Sequence, residues 1–415
     1  MSKISGVLLS FLLVCGCAMT IESRLDSVRG DFMTSEDVLN TEFQKQNNLD
    51  LLLTADALFH GNDYAKADDA YEEFNHRNID DIGGSFTREA ISFVVGPSAN
   101  DYKPYMMDSL FVSYYQLWSA LATGRYDDAR VIINQSYAKQ QNMSLSYKKT
   151  LEENQKALES NEELASKLNA GNLVWTAYRD IMNPALMYLS GIYFLNSGDF
   201  SEACTYLERT SGMESANPFV KLDLELAEKR EKPTNTIWVF IEDGFAPKLH
   251  ETRITVPVVI GGGSSLATIA LSEPVFMNNF TNIDGAKALA DVDAMFMTEY
   301  KEYRANDALR VMSSVAGRIA LQSSMYNSHS SAAPLLGLVS SLFSITTSGA
   351  EVRTWATLPK SISVLRMKND KTGLIELRSN GNLVSNISVP KLSGNYLVYV
   401  RFGPKGQDIK VIKLK

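Results

Sequence analysis

Over residues 36–231 apolar positions recur three and four apart, the period of a helix with one buried stripe. Leu39, Phe43, Leu49, Leu52 and Leu53 open the pattern, behind an N-cap at Ser35 with Glu36 and Asp37 in the first turn. The charged stretch "EKREKPTN" (228–235) closes it, and the period then changes. "TIWVFIE" (236–242), "ETRITVPVVI" (251–260) and "LATIAL" (266–271) are rich in β-branched and aromatic residues and predict strands. Helical spacing returns from Gly285 to about Gln322, on Ala288, Leu289, Val292, Met295, Phe296 and Tyr300 and then Leu309, Met312, Val315 and Ile319. Strands are expected again over 361–367, 373–378, 382–389, 394–402 and 408–414, and Asn-Gly in "SNGN" (379–382) marks a hairpin turn. The expected fold class is α+β. An all-α region of helical hairpins over 36–231 precedes a mixed α+β domain over 234–415 that ends in antiparallel strands.

Three stretches of the helical half share a pattern: "GNDYAKADDAY" (61–71), "GRYDDARVII" (124–133) and "GDFSEACTYL" (198–207). Each has a glycine to end one helix in the left-handed conformation, an aromatic residue to open the next, and an alanine that allows close approach. This resembles the turn between the two helices of a tetratricopeptide repeat. The third copy carries the likeness best, with Gly191, Phe194, Gly198, Phe200, Ala203, Leu207 and Pro218. The second keeps Gly124, Tyr126 and Ala129 but has Leu117 where a glycine is expected, and the first has one extra residue between Gly61 and Tyr64. Gly61, Gly124 and Gly198 lie 63 and 74 residues apart, not about 34, so stacked hairpins are expected without a regular superhelix.

In "YKKTLEENQKALESNEELASKLN" (147–169), Leu151, Leu158 and Ala165 recur every seven residues. That narrow seam suits a solvated helix packed along one edge, or a coiled-coil contact with a partner. Tyr114, Tyr115, Trp118, Trp175 and Tyr178 could line a concave peptide-binding face. Their helical spacing suits a core better, and they are not assigned to a site.

The chain opens with a separate signal. Lys3 precedes an apolar run from Val7 to Val14, broken only by Ser10. It is too short to span a bilayer, which takes about 20 residues, but it fits the apolar region of a secretory signal. Val14-Cys15-Gly16-Cys17 resembles a bacterial lipobox: aliphatic, small, then the cysteine that is acylated. The resemblance implies a signal peptide over 1–16, fatty acyl chains such as palmitate on Cys17, and a polar tether over 17–35. The alternative is an ordinary signal with Cys17 paired to Cys204. Ala18 stands where an Asp would retain such lipoproteins in the inner membrane, which implies the outer membrane, periplasmic face.

Composition excludes little else. A chain of 415 residues suggests two domains. A net charge of −8 argues against a nucleic-acid surface. His60, His76, His250 and His329 lack ligand spacing, and each suits a solvated or capping place; no metal or cofactor is expected. "IGGGSSLA" (260–267) lacks the Lys-Ser/Thr of a phosphate loop and is expected to join strands. "SAAPLLGLVSSLFSITTSGA" (331–350) reads as a buried helix or a partner-covered hairpin. Glu242 and Asp243 are adjacent on a strand, so they face opposite ways and are poorly placed for shared acid–base work; Asp-Gly reads as a turn.

"FIEDGFAPKLHETRITVP" and "RTWATLP" (353–359) resemble segments of a family of uncharacterised bacterial outer-membrane lipoproteins with a tetratricopeptide-like N-terminal region. Members tend to be encoded beside a lipoprotein resembling penicillin-binding-protein activators. The resemblance implies an envelope or peptidoglycan-synthesis setting and supplies no catalytic residues. The function expected is a non-enzymatic adaptor that is held to the membrane by its acyl chains and binds envelope proteins, a peptidoglycan-synthesis activator lipoprotein among them. The alternative is a cell-wall-active enzyme or substrate-binding lipoprotein.

Overall fold

The computed structural model describes residues 20–31, 46–78, 101–159, 182–260, 263–301 and 350–414. The helices are α1 (Ile21–Asp31), α2 (Asn48–His60), α3 (Tyr64–Arg77), α4 (Met106–Ala122), α5 (Tyr126–Glu159), α6 (Pro184–Ser197), α7 (Phe200–Met213), α8 (Pro218–Glu228) and α9 (292–301). The strands are β1 (Thr236–Asp243), β2 (Lys248–Ile260), β3 (Gly263–Val275), β4 (Lys287–Asp291), β5 (Ser361–Lys368), β6 (Leu374–Ser379), β7 (Asn382–Ser388), β8 (Tyr396–Gly403) and β9 (Gly406–Lys413). The chain is α+β, with helices first and antiparallel strands at the end, as the change of period predicts.

Three helical hairpins, α2–α3, α4–α5 and α6–α7, form at the three glycine turns. Gly124 and Gly198 take the left-handed conformation, at φ +70° and +87°. Gly61 does not: its φ is −74°, and Asn62 takes the positive φ instead. The extra residue in this turn moves the left-handed position one place on, to a residue type that tolerates it. The aromatic and alanine positions pack as expected, with Ala67, Ala129 and Ala203 buried. Tyr114, Tyr115 and Trp118 are core residues, whereas Trp175 and Tyr178 lie outside the described residues.

Five strands form one sheet in the order β4-β5-β1-β8-β9, with β1 and β8 parallel and the other neighbours antiparallel. Every residue of β1 is buried, so its alternation serves two cores. Trp238 and Phe240 join Leu397, Tyr399, Ile362 and Val364 on the face covered by the helices. Trp118 on α4 meets Phe240 and Tyr399 edge-on, with ring centroids 5.4 and 5.3 Å apart. Ile237, Val239 and Ile241 join Tyr396, Val398 and Val400 on the other face, under Ile375, Leu377, Ile387 and Val389 of the β6–β7 hairpin. The order of layers is helices, sheet, hairpin. The helix-side cluster takes residues from α1 to β9, so the helical region and the sheet share one core.

Three elements differ from the pattern. Within 17–35, Ile21–Asp31 is helix α1; Leu25 and Val28, three apart, are buried in the main core. The helical spacing expected from Gly285 begins instead with strand β4, because Lys287–Asp291 pairs with the edge of β5, and the helix starts only after Asp291. The β2–β3 ladder runs to Ile260↔Gly263, so strand extends into both ends of "IGGGSSLA", and 261–262 lie outside the described residues. In "SNGN", Asn380 and Gly381 both have positive φ, the requirement of a tight hairpin turn. Helix α5 is described as far as Glu159, and 302–349 lie outside the described residues.

A Cβ at Gly191 would lie 2.7 Å from Cγ and Cδ2 of the buried Leu207, so α6 and α7 meet here at glycine distance. Gly191→Ala is expected to cost about 1–3 kcal/mol by overpacking. In urea unfolding, Leu207→Ala should recover part of that loss, giving a double-mutant coupling above ~0.5 kcal/mol; additive single effects would refute the contact.

Candidate functional site

The parallel register of β1 and β8 sets Glu242 beside Arg401, and the antiparallel register of β8 and β9 sets Arg401 beside Asp408. The three side chains make a row of alternating charge across the helix-facing side of the sheet. The next row is Phe240, Tyr399 and Lys410. Helix α2 lies over both and adds Asp56 and His60, which are four apart and so project from one face. Glu242, Arg401 and Asp56 are each 0% exposed.

Hydrogen bonds close this layer. Oε2 of Glu242 accepts from the hydroxyls of Tyr399 at 2.8 Å and Tyr115 at 3.1 Å, with Nε of Arg401 at 3.8 Å. Arg401 Nη2 donates to the Thr357 carbonyl at 3.1 Å. His60 Nδ1 lies 2.9 Å from Oδ2 of Asp408, which also pairs with Lys410 Nζ at 2.7 Å. Lys410 Nζ donates to Asn62 at 2.8 Å and sits 4.7 Å from the Phe59 ring centroid. Asp56 is the least served member. Its Oδ1 is 3.9 Å from Nε2 of His60, and the Thr357 hydroxyl and Trp355 indole beside it favour its ionised form only weakly against burial.

These surroundings move the acids in opposite directions. Burial pushes Asp56 and Glu242 above the ordinary carboxylate range; His60 opposes the rise at Asp56, and Arg401 and Tyr399 oppose it at Glu242. Burial would also raise Asp408, but the hydrogen bond and charge of His60 and the charge of Lys410 outweigh it and hold Asp408 low. Burial lowers Lys410 in spite of its acid partner. A second buried acid, Asp223 of α8, clamps helices to the sheet. It accepts from Tyr188 Oη and Trp238 Nε1, both at 2.7 Å, and from Arg366 Nε at 2.8 Å.

Glu242 and Asp243 do face opposite ways. Oδ1 of Asp243 accepts the N–H groups of Gly244 and Phe280; Oδ2 accepts the N–H and hydroxyl of Thr281. Asp243 therefore pins the 276–284 loop. It lines a pocket of about 300 Å³ together with Glu214, Asn279, Asp291 and Ser361. In "RTWATLP", Trp355 is buried against Tyr71 and Tyr115, and Arg353 pairs with Glu351 at 2.5 Å, so the motif packs as a unit.

His60 is a correction. It is not a solvated residue but a buried partner of Asp408. Neither the ionic row nor the Asp56–His60 pair was assigned a role from the sequence; the available signal was one charged residue, Arg401, inside the otherwise apolar strand "YLVYVRFG". Cys17 lies outside the described residues, and Cys204 is a half-buried free thiol. Among the described residues no cluster of His, Cys, Asp or Glu is arranged to hold a metal, and no helix is long and apolar enough to cross a membrane. Compared with protein-family models, curated proteins and solved structures, the chain matches none.

Because the folded value of Asp56 lies above its unfolded value of about 3.9, its stabilising contribution is complete below that value and is lost as pH rises through the folded one. Asp56→Asn should therefore gain on the wild type as pH goes from 5 to 9, measured as the difference in urea midpoints. A pH-independent difference would show that Asp56 is ionised throughout.

Proposed function

We propose that the protein is a lipid-anchored, non-enzymatic adaptor of the bacterial cell envelope, attached through Cys17 to the periplasmic face of the outer membrane. The observation that carries this is the run Val14-Cys15-Gly16-Cys17 behind a short apolar segment. Two or more acyl chains, at about 0.8 kcal/mol per buried methylene, give stable attachment. The body behind the anchor suits a scaffold, because helices and sheet share one core. The likeness of "FIEDGFAPKLHETRITVP" and "RTWATLP" to the envelope lipoprotein family supports a partner in peptidoglycan synthesis, an activator lipoprotein among the candidates.

A second reading, a cell-wall enzyme, draws on Glu242, whose proton affinity is raised by burial as a general acid's would be. Its access argues the other way: Glu242, Arg401 and Tyr399 are all 0% exposed, and Oε2 is occupied by protein donors.

Cys17→Ser is expected to abolish fatty-acid labelling and to move the protein from membranes to the soluble periplasmic fraction. Unchanged retention would refute the anchor. The mature protein should release no soluble fragments from purified peptidoglycan, and release that Glu242→Gln abolishes would establish the enzyme instead.

A further inference from the structure

Three asparagines tie together the end of the five-stranded sheet where β1 and β8 begin and β5 and β9 finish. The Asn369 N–H donates to the Asn235 carbonyl at 2.7 Å, and its Nδ2 donates to the carbonyls of Leu392 and Gly394 at 3.0 and 3.1 Å. Asn235 Oδ1 accepts the Gly394 N–H at 3.0 Å. Asn395 Nδ2 donates to the Pro233 carbonyl at 2.7 Å, and the Asn395 carbonyl accepts the Leu414 N–H at 2.9 Å. The segments 232–236, 368–373, 389–396 and 413–414 are thereby held as one unit.

These segments carry five cations and a single acid. Lys232, Lys368, Lys371, Lys391 and Lys413 are all exposed, in a chain whose net charge is −8. The acid, Asp370, is turned to its own loop, where it accepts the N–H and hydroxyl of Thr372. Among the described residues none of the five ammonium groups has an acid within ion-pair distance.

The lysine stems are seated. A Cβ at Gly198 would lie 2.9 Å from Cε of Lys232, one at Gly373 would lie 2.6 Å from Cγ of Lys391, and one at Gly394 would lie 3.3 Å from Cε of Lys413. Each stem therefore lies along bare backbone and carries its charged head to solvent. Lys371 takes a positive φ of 66°, which glycine holds without strain. A lysine there costs stability that a glycine would not. Leu392, 61% exposed, follows Lys391 in the same loop.

An exposed leucine among unpaired lysines matches a partner with carboxylates around an apolar contact, the layout of an interface with a charged rim. Lysine is a point charge and suits dispersed acids; a single oxyanion is better met by the fork of arginine. A bilayer surface also offers dispersed anions, but the proposed anchor is at the opposite end. There α1 pairs with Lys248, just beyond β1, and with Lys405 in the β8–β9 turn, at 3.0 and 3.1 Å. The length of β8, about 24 Å at ~3.4 Å per residue, separates the two ends. Only four residues, at most ~14 Å of chain, lie between Cys17 and the start of α1.

We propose that this lysine-rich end of the sheet is the docking surface for an acidic segment of an envelope protein, which sets its carboxylates on the lysines and an apolar side chain against Leu392. The proposal deepens the adaptor reading and rests on it for the choice of a protein over a lipid surface.

The test uses the full chain with Cys17→Ser, so that acyl chains do not decide binding. The probe is a short fluorescent peptide of glutamates around a central leucine, with glutamines for glutamates in the reference peptide, read by anisotropy. The glutamate peptide should bind at least tenfold tighter than the reference, and Lys371→Gln with Lys391→Gln should weaken it by about tenfold. Lys371→Gly should weaken it several-fold while its urea midpoint rises. Lys149→Gln with Lys156→Gln, exposed cations of α5, should stay within about twofold of the parent. Equal binding of the two peptides, or an equal loss in the α5 pair, overturns the surface. So does tighter binding to phosphatidylglycerol vesicles under control of the same lysines, which would make it a lipid surface. A photo-crosslinker placed in cells at Leu392, and at Leu145 on α5, separates two failures. Crosslinks from Leu145 alone overturn this surface and leave the adaptor standing; none from either position removes the adaptor as well.

Discussion

A strand that is apolar on both faces is stable only where both are covered, and β1 imposes that condition on the molecule. Trp238 and Phe240 require the helices, while Ile237, Val239 and Ile241 require the β6–β7 hairpin. Fully burying a large side chain contributes about 1.5–3 kcal/mol. The five alternating residues of this one strand therefore tie three layers together, and neither the helical hairpins nor the sheet has a complete core alone. The aromatic residues of α4 follow from this. Tyr115 and Trp118 could have formed a peptide-binding face only if β1 and β8 had been covered by something else.

The charged row is placed where it decides registry. Taking Glu242, Arg401 and Asp408 out of water costs several kcal/mol per ion, which their mutual attraction only partly offsets. An apolar row would serve stability as well. What the charges add is discrimination, because a slip of one residue of β8 against β1 and β9 would turn Arg401 to the face of Val239 and Ile241, into the apolar core under Ile375 and Leu377. His60 and Asp56 extend the same control to α2, whose turn into α3 carries Asn62, a partner of Lys410.

The strands of the second half were legible because β-branched and aromatic runs bounded by turn residues have few other uses; all five of the terminal strands stand within two residues of expectation. The three helical turns were legible for the same local reason. Elements set by distant partners were not. Lys287–Asp291 has helical spacing, yet the open edge of β5 takes it as a strand, and the short polar stretch around Leu25 becomes a helix because the core accepts its two apolar residues. The ionic row was hidden for a related reason. Glu242, Arg401 and Asp408 are far apart in sequence and become neighbours only through strand register, so spacing rules for local motifs could not find them. The proposed acylation at Cys17 is the reverse case, an expectation drawn wholly from a local motif.

The contacts of α1 tie the sequence signal to the fold. As a tether, residues 17–35 would leave the body free to take any orientation. As a helix bound through Leu25, Val28 and the pairs Asp26–Lys248 and Arg24–Asp50, α1 removes most of that freedom. An acyl chain on Cys17 would then act on the body through at most four residues of slack, and the face of the molecule that carries the β2–β3 base would stay toward the membrane. With a docked first helix so close to Cys17, an anchor there would confer orientation more than affinity.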